Sequence, residues 1–208
     1  MAADLRAQLE AGCAELGLDL SETQIRQLLD YLALLVKWNK VYNLTALRDP
    51  AQMLSKHLLD SLALIPYLDA ESLLDVGTGA GLPGIPVAIC RPQMAVTLLD
   101  SNAKKTRFLQ QVKAELKLSN VTIVHGRVEQ VDLPKFAIIT ARAFASVGDI
   151  IDLAGRHCDD AGKLILMNGV YPEQELQQAA PGFSLQAVNA INVPFCDGQR
   201  HLVTLIRD

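Results

Sequence analysis

Hydrophobic positions in the first ~70 residues recur at helical spacing. Ser21 and Gln24 form an S-x-x-Q capping box, the signature of a helix start. Ile25, Leu28, Leu29, Leu32, Leu35 and Val36 then fall on one face of that helix. Asp49-Pro50 opens another, with proline at the first helical position and Met53, Leu54, Leu58, Leu62 and Ile65 as its apolar stripe. Near residue 72 the rhythm changes. Short apolar runs at 72–76, 95–100, 121–126, 136–143 and 162–169 alternate with helical stretches near 83–90, 103–117, 147–157 and 172–179. Strand and helix repeated in this way predict a parallel sheet covered on both faces. The end differs again. Two strand-like runs, 183–193 and 200–208, flank Asp197-Gly198, a hairpin turn signal, so the last strand is expected to run antiparallel to its neighbour.

The organisation expected is therefore a helical N-terminal segment over 1–70 packed on an α/β domain over 71–208, forming one unit. The 208 residues are half hydrophobic, enough for one filled core with a modest extension. Net charge is −4, so contact with nucleic acid has to come from local basic faces. Cys13, Cys90, Cys158 and Cys196 are too dispersed for a C-x-x-C pair or a zinc site, and no metal is expected. Asp4 and Glu10 interrupt the opening residues, unlike a signal peptide, and no apolar run approaches the roughly 18 residues of a membrane span. A cytoplasmic protein with no membrane partner is the expectation.

The first strand runs into LLDVGTGAGLPGIP (73–86), where Gly79, Gly81 and Gly84 satisfy G-x-G-x-x-G between a strand and a helix. That pattern serves several nucleotide-derived cofactors, and the carboxylates separate them. Asp75 stands at the strand end, two residues before Gly77, where a dinucleotide would bring its pyrophosphate. A carboxylate there repels phosphate. S-adenosylmethionine offers a sulfonium, an ammonium and a carboxylate instead, and so favours this loop over NAD. Asp100 ends the second strand, placed to accept hydrogen bonds from ribose hydroxyls. Val128 and Glu129 follow the third strand, at the edge of an adenine pocket. Each has a plainer reading as well. Asp75 could cap the turn, Asp100 could cap helix 103–117, and Val128 with Glu129 could be an ordinary loop end.

Several stretches together, KWNKVYNLTALRDP (37–50), KHLLDSL (56–62), LLDVGTGAGLPGIP (73–86), LLDSNAKKTRFL (98–109), GRVE (126–129), ARAFA (141–145) and GQRHLV (198–203), make nearly the whole chain closely resemble a known family. It is the bacterial small-subunit rRNA guanine-N7 methyltransferases, the RsmG family, formerly glucose-inhibited division protein B. The resemblance implies a class I S-adenosylmethionine-dependent methyltransferase fold, Rossmann-like, with a helical N-terminal extension. It implies methyl transfer to N7 of a guanine in the decoding-region loop of 16S rRNA, with the small ribosomal subunit or its precursor as partner; a monomer is expected. By motif match the cofactor would lie near Gly77, Gly79, Gly81 and Leu82, by Val128 and Glu129, and near Arg142, with Asp100 on the ribose. One residue departs from the pattern: the family usually has a lysine before the glycine that ends the fifth strand, and here it is Asn168, which can hydrogen-bond but cannot neutralise a phosphate.

Guanine N7 has an in-plane lone pair and no proton to lose. No general base is required, which suits a chain without an evident Ser/His/Asp or Cys/His constellation. Arg142, at the end of the fourth strand, is the candidate to contact the cofactor or guide the guanine; its plainer reading is a structural ion pair. RNA contacts are expected from Lys37, Lys40 and Arg48, interleaved with Trp38 and Tyr42, and from Lys104, Lys105 and Arg107 on one helix. Solvated lysines and packed aromatics are the ordinary alternative. Two rival functions stand beside the transferase: an NAD-dependent oxidoreductase using the same loop, and a non-catalytic RNA-binding protein with a methyltransferase fold.

Overall fold

In the computed structural model, which describes residues 2–142, 146–169 and 181–208, a seven-stranded sheet has the order β3-β2-β1-β4-β5-β7-β6. The strands are β1 (Ser72–Val76), β2 (Ala95–Asp100), β3 (Val121–His125), β4 (Phe136–Arg142), β5 (Cys158–Asn168), β6 (Phe183–Ile191) and β7 (Arg200–Arg207). The first five run parallel. β7 is antiparallel to β5 and to β6, so the C-terminal hairpin enters the sheet as expected. The strand order reverses between β1 and β4, and α/β sheets open a ligand crevice at such a point, outside the strands' carboxyl ends.

Consecutive apolar residues in the strands feed opposite faces, which is why the runs are apolar throughout. Leu73, Leu98, Ile138 and Ile165 point to one core, whereas Leu74, Leu99, Ile139 and Leu164 point to the other. The second core is covered by α7 (Val147–Ala154) through Val147, Ile150, Ile151 and Ala154. The first is covered by α5 (Gly84–Cys90), α6 (Ala103–Leu116) and the N-terminal helices, whose Leu9, Leu28 and Leu58 belong to the same cluster.

The N-terminal helices are α1 (Ala2–Glu15) and α2 (Glu22–Tyr42), followed by a helix that changes pitch. The capping box at Ser21 and Gln24 forms, and Gln24 Nε2 also donates to the carbonyls of Ile89 and Cys90 at the end of α5. One side chain thus starts α2 and ties it to the sheet layer. Tyr31, Leu34 and Asn39 complete the buried face of α2, while Leu29 and Val36 lie half-buried at its margin. Asp49 caps α3 (Pro50–Met53) as the Asp-Pro pair predicts. The stripe that follows is not one α-helix. The chain widens to a π-helical stretch over Leu54–Leu59, where the amide of Asp60 reaches the carbonyl of Ser55, and returns to α geometry in α4 (Asp60–Leu62). Met53, Leu54, Leu58, Leu62 and Ile65 are all buried even so, because the stripe records burial and not the hydrogen-bond step.

β5 begins earlier than its apolar run. Cys158 pairs with Phe136, a register shift follows, and Ile138 then pairs with Lys163. The polar Asp159 and Asp160 occupy that irregular stretch, which is why it reads as loop in the sequence. The helix expected at 172–179 lies outside the described residues.

Candidate functional site

The carboxyl ends of β1 to β4 bring most of the candidate residues together. After β1 the backbone takes positive φ at Gly77 (66°), Gly79 (63°) and Gly81 (94°). At Gly81 a side chain would also have no space, since a Cβ would lie 2.5 Å from Ile85 Cγ1. Asp75 organises this loop from beneath. It is fully buried, and its Oδ2 accepts from the Thr78 hydroxyl at 2.6 Å and from the Gly84 amide at 2.9 Å. Its Oδ1 has no hydrogen-bond partner. Burial pushes the carboxyl up to about 7, against the opposing pull of the Thr78 and Gly84 bonds.

Asp100 closes the loop from the side. Its Oδ2 accepts from the Gly79 amide and its Oδ1 from the Asn102 amide, both at 2.8 Å, and Lys105 Nζ stands 3.8 Å away. It therefore tethers the glycine loop to the start of α6. Beyond it, Val128 is buried and Glu129 exposed, and both face the same cleft as Asp100. The Val128 carbonyl accepts from Arg156 Nη2 at 3.1 Å, which fixes the position of that segment.

Two clefts adjoin at the loop. One, of about 530 Å³, is lined by Val76, Asp100, Ser101, Gly126, Val128 and Glu129. The other, of about 560 Å³, is lined by Thr45, His57, Asp60, Leu82, Arg142 and Arg200. Gly77 and Lys105 belong to both walls.

Arg142 is bound into the second cleft. Its Nη1 donates to Asp60 Oδ2 at 3.0 Å and to the Lys56 carbonyl at 3.3 Å. The other oxygen of Asp60 accepts from Arg200 Nε at 3.0 Å. A carboxylate only 5 % exposed thus holds two guanidinium groups from β4 and β7. The partner of Arg142 comes from the N-terminal helices, on the far side of the cleft from the strand ends. His57, on the π-helical stretch, is pushed down to about 4 by burial and then by Arg142. The Lys56 carbonyl 3.1 Å from Nδ1 can only accept, so Nδ1 carries the proton and Nε2 accepts from the Thr45 hydroxyl at 2.8 Å.

Thr45 is placed by the W-N-K-x-Y-N-L-T stretch. Buried Asn39 accepts from the Thr45 amide and donates to the Leu47 carbonyl, and Asn43 ends α2 in the left-handed region. Arg48 donates to the Asn39 carbonyl and to Asn43 Oδ1, closing the helix end. Trp38 stacks on Tyr42 with ring centroids 5.1 Å apart and packs against Phe108 of α6. Lys37, Lys40, Lys104 and Arg107 are exposed and line neither cleft, whereas Lys105 lines both. Met167 and Gly169 line the second cleft; Asn168, between them, does not.

Sequence reasoning did not single out Tyr31, Asp60, Arg156 or Arg200. Asp60 and Arg200 lie inside KHLLDSL and GQRHLV, so those stretches carried the signal without its pairing. Tyr31 carried none, being an aromatic on an apolar helix face. It is fully buried, and its hydroxyl donates to the Ala80 carbonyl in the glycine loop at 2.7 Å. Tyr31→Phe is expected to cost about 1 kcal/mol, a fall in Tm of roughly 3 °C. Hydrogen exchange at the Gly81 and Leu82 amides is expected to quicken, and unchanged protection there would show that the bond does not hold the loop.

Among the described residues no cluster of three His, Cys, Asp or Glu could hold a metal ion, and no helix is long and apolar enough to cross a membrane. In fold the chain is similar to solved methyltransferases. A SAM-dependent methyltransferase from Aquifex aeolicus aligns with a TM-score of 0.59 at 17% identity, over 79% of this chain and 97% of that one. M. jannaschii TYW2 in complex with AdoMet aligns with a TM-score of 0.57 at 16% identity, over 73% of this chain and 76% of that one. In sequence the similarity is far closer. Ribosomal RNA small subunit methyltransferase G of Stutzerimonas stutzeri is 52% identical over 205 residues, 96% of this chain and 94% of the relative. The protein of the same name from Neisseria meningitidis serogroup C is 48% identical over 201 residues, 96% and 97%. The family model for rRNA small subunit methyltransferase G, GidB, matches residues 24–203, and with these relatives it shows that the chain belongs to that family.

Proposed function

We propose that this protein transfers a methyl group from S-adenosylmethionine to N7 of a guanine in the decoding-region loop of 16S rRNA. The observation that carries the reading is the pair of clefts sharing one wall at Gly77. Where the clefts adjoin, Gly77 puts no side chain at the junction, which would let a donor and an acceptor meet there directly. The chemistry of the first cleft fits the cofactor. Asp100 supplies an acceptor for ribose hydroxyls, and Val128 an apolar face for adenine. Asp75 lies beneath the loop and lines neither cleft, so its part is to shape the loop through Thr78 and Gly84. When bound, the cofactor supplies an electrophilic methyl on sulfur.

The residues of the second cleft hold the acceptor and exclude water. Guanine N7 needs no base, and His57 stays uncharged at neutral pH, its one proton committed to the Lys56 carbonyl. Arg142 and Arg200, positioned by Asp60, favour the negatively charged RNA backbone or the O6 edge of the base. The exposed Lys37, Lys40, Lys104 and Arg107 would take phosphates further out. On this reading the protein acts in the cytoplasm as a monomer without a metal. The helical segment over 1–70 and the methyltransferase domain over 71–208 work as one unit.

The test is methyl transfer from labelled S-adenosylmethionine to small ribosomal subunits from a strain lacking the enzyme. The product is mapped by strand cleavage specific for N7-methylguanine. One labelled guanine in the decoding-region loop is expected; label at an amino group or elsewhere in the RNA counts against the reading. Asp100→Ala is expected to weaken cofactor affinity by tenfold or more, because a charged acceptor is lost. Unchanged affinity in a calorimetric titration would remove Asp100 from the ribose role.

A further inference from the structure

The hairpin joining β6 to β7 starts with a turn that carries the wrong residue for its shape. The Cys196 amide bonds to the Val193 carbonyl at 3.1 Å, closing a four-residue turn over Val193-Pro194-Phe195-Cys196. Proline cannot take positive φ, and Phe195 sits at φ 59°. This is the arrangement of a type II turn, whose third position belongs to glycine or asparagine. A bulky aromatic there is strained, and strain of this kind persists where the surroundings enforce it and function uses it.

The surroundings do enforce it. Val193 and Pro194 are buried on one side of Phe195, and half-buried Cys196 packs against the core on the other. The ring between these anchors is 55 % exposed, and among the described residues it is the one aromatic side chain on the open surface. Its position is not arbitrary. Val193 and Arg200, on either side of it in the chain, both line the acceptor cleft, and so does Lys56. An aromatic face held rigidly at a cationic rim matches single-stranded RNA, whose unstacked bases lie on aromatic rings while phosphates meet arginine and lysine.

We infer that Phe195 is a stacking platform for an RNA base beside the target guanine, holding the loop open at the mouth of the acceptor cleft. This rests on the acceptor assignment above, so the experiment reads binding separately from transfer. Equilibrium filter binding of small subunits from the deficient strain is measured for wild type, Phe195→Ala, Phe195→Gly and Phe195→Trp, with cofactor affinity and Tm alongside. Phe195→Ala is expected to weaken subunit binding about tenfold, the usual effect of losing one stacked base, with cofactor affinity unchanged. The salt dependence of binding is expected to keep its slope, since no phosphate contact is lost. Phe195→Trp is expected to bind like wild type. Phe195→Gly is expected to bind as weakly as alanine yet melt at a higher temperature, because the turn is relieved. Subunit binding by the alanine or glycine variant within twofold of wild type overturns the inference, as does a tryptophan variant as weak as alanine. Wild type that binds subunits without methylating them would defeat the transferase reading and leave the stacking result to stand or fall on affinity alone.

Discussion

Replacing Gly84 by alanine is expected to destabilise the protein by about 4 kcal/mol, the sum of an overpacking cost and a lost buried hydrogen bond. In a chain of this size that is a fall in Tm of roughly 10 °C. A Cβ at this position would lie 2.2 Å from Leu98 Cδ2 and 2.8 Å from Asp75 Oδ2. Neither neighbour can move cheaply. Leu98 is fully buried in β2, and the Asp75 carboxylate is held by the Thr78 hydroxyl and by the amide of Gly84 itself. Pushing the carboxylate aside breaks the bonds that fold the glycine loop, so cofactor affinity is expected to fall by tenfold or more with the melting temperature. Gly148→Ala is the control, because a Cβ there meets nothing within 4 Å. It is expected to leave Tm unchanged or raise it slightly, as alanine favours a helix over glycine. Scanning calorimetry and cofactor titration on both variants decide the matter. A Gly84→Ala protein melting within about 3 °C of wild type would mean that β2 and α5 separate more easily than their packing implies.

Asp60→Ala is expected to have the largest effect on catalysis. The substitution removes the shared partner of Arg142 and Arg200 and leaves two guanidinium groups without it in the second cleft. Breaking a buried pair from one side costs about 3 kcal/mol once the partial exposure of the arginines is allowed for. Misplacing both arginines is expected to slow single-turnover methyl transfer about a hundredfold, the usual consequence of an ångström-scale error in substrate position. Cofactor affinity should change much less, because Asp100 and Val128 lie in the other cleft. Asp60→Asn keeps one carbonyl oxygen for one arginine and should fall between the two. If Asp60→Ala transferred methyl at the wild-type rate, the arginines would have no part in holding the acceptor.

The fold was legible because its signals are local. Apolar runs gave the strands, S-x-x-Q and Asp-Pro gave helix starts that form as read, and Asp-Gly marked the final hairpin. What was not legible depends on hydrogen bonds between distant segments. The π-helical stretch keeps the apolar spacing of an α-helix, so periodicity does not report it. The early start of β5 is concealed by Asp159 and Asp160, whose place in an irregular pairing only the neighbouring strand defines. The site divides in the same way. Asp100, Val128 and Glu129 were read from predictable strand ends, and the structure lines one cleft with all three. Arg142 was read from a strand end as well, but its partner Asp60 lies 82 positions earlier in the chain and on another element. Tyr31 was invisible because nothing local separates a hydroxyl that supports a loop from a ring that fills a core.

The two clefts have separate rims, Lys56 on one and Arg127 with Glu129 on the other. That separation bears on the order of turnover. On the function proposed above, the spent cofactor need not pass the RNA to leave, and the RNA need not wait for the spent cofactor. Release in either order is then the expected result. The demethylated cofactor should then inhibit by competing with S-adenosylmethionine and not with the ribosomal subunit. On that reading a modified ribosomal subunit would dissociate at once, and the protein would exchange its cofactor afterwards.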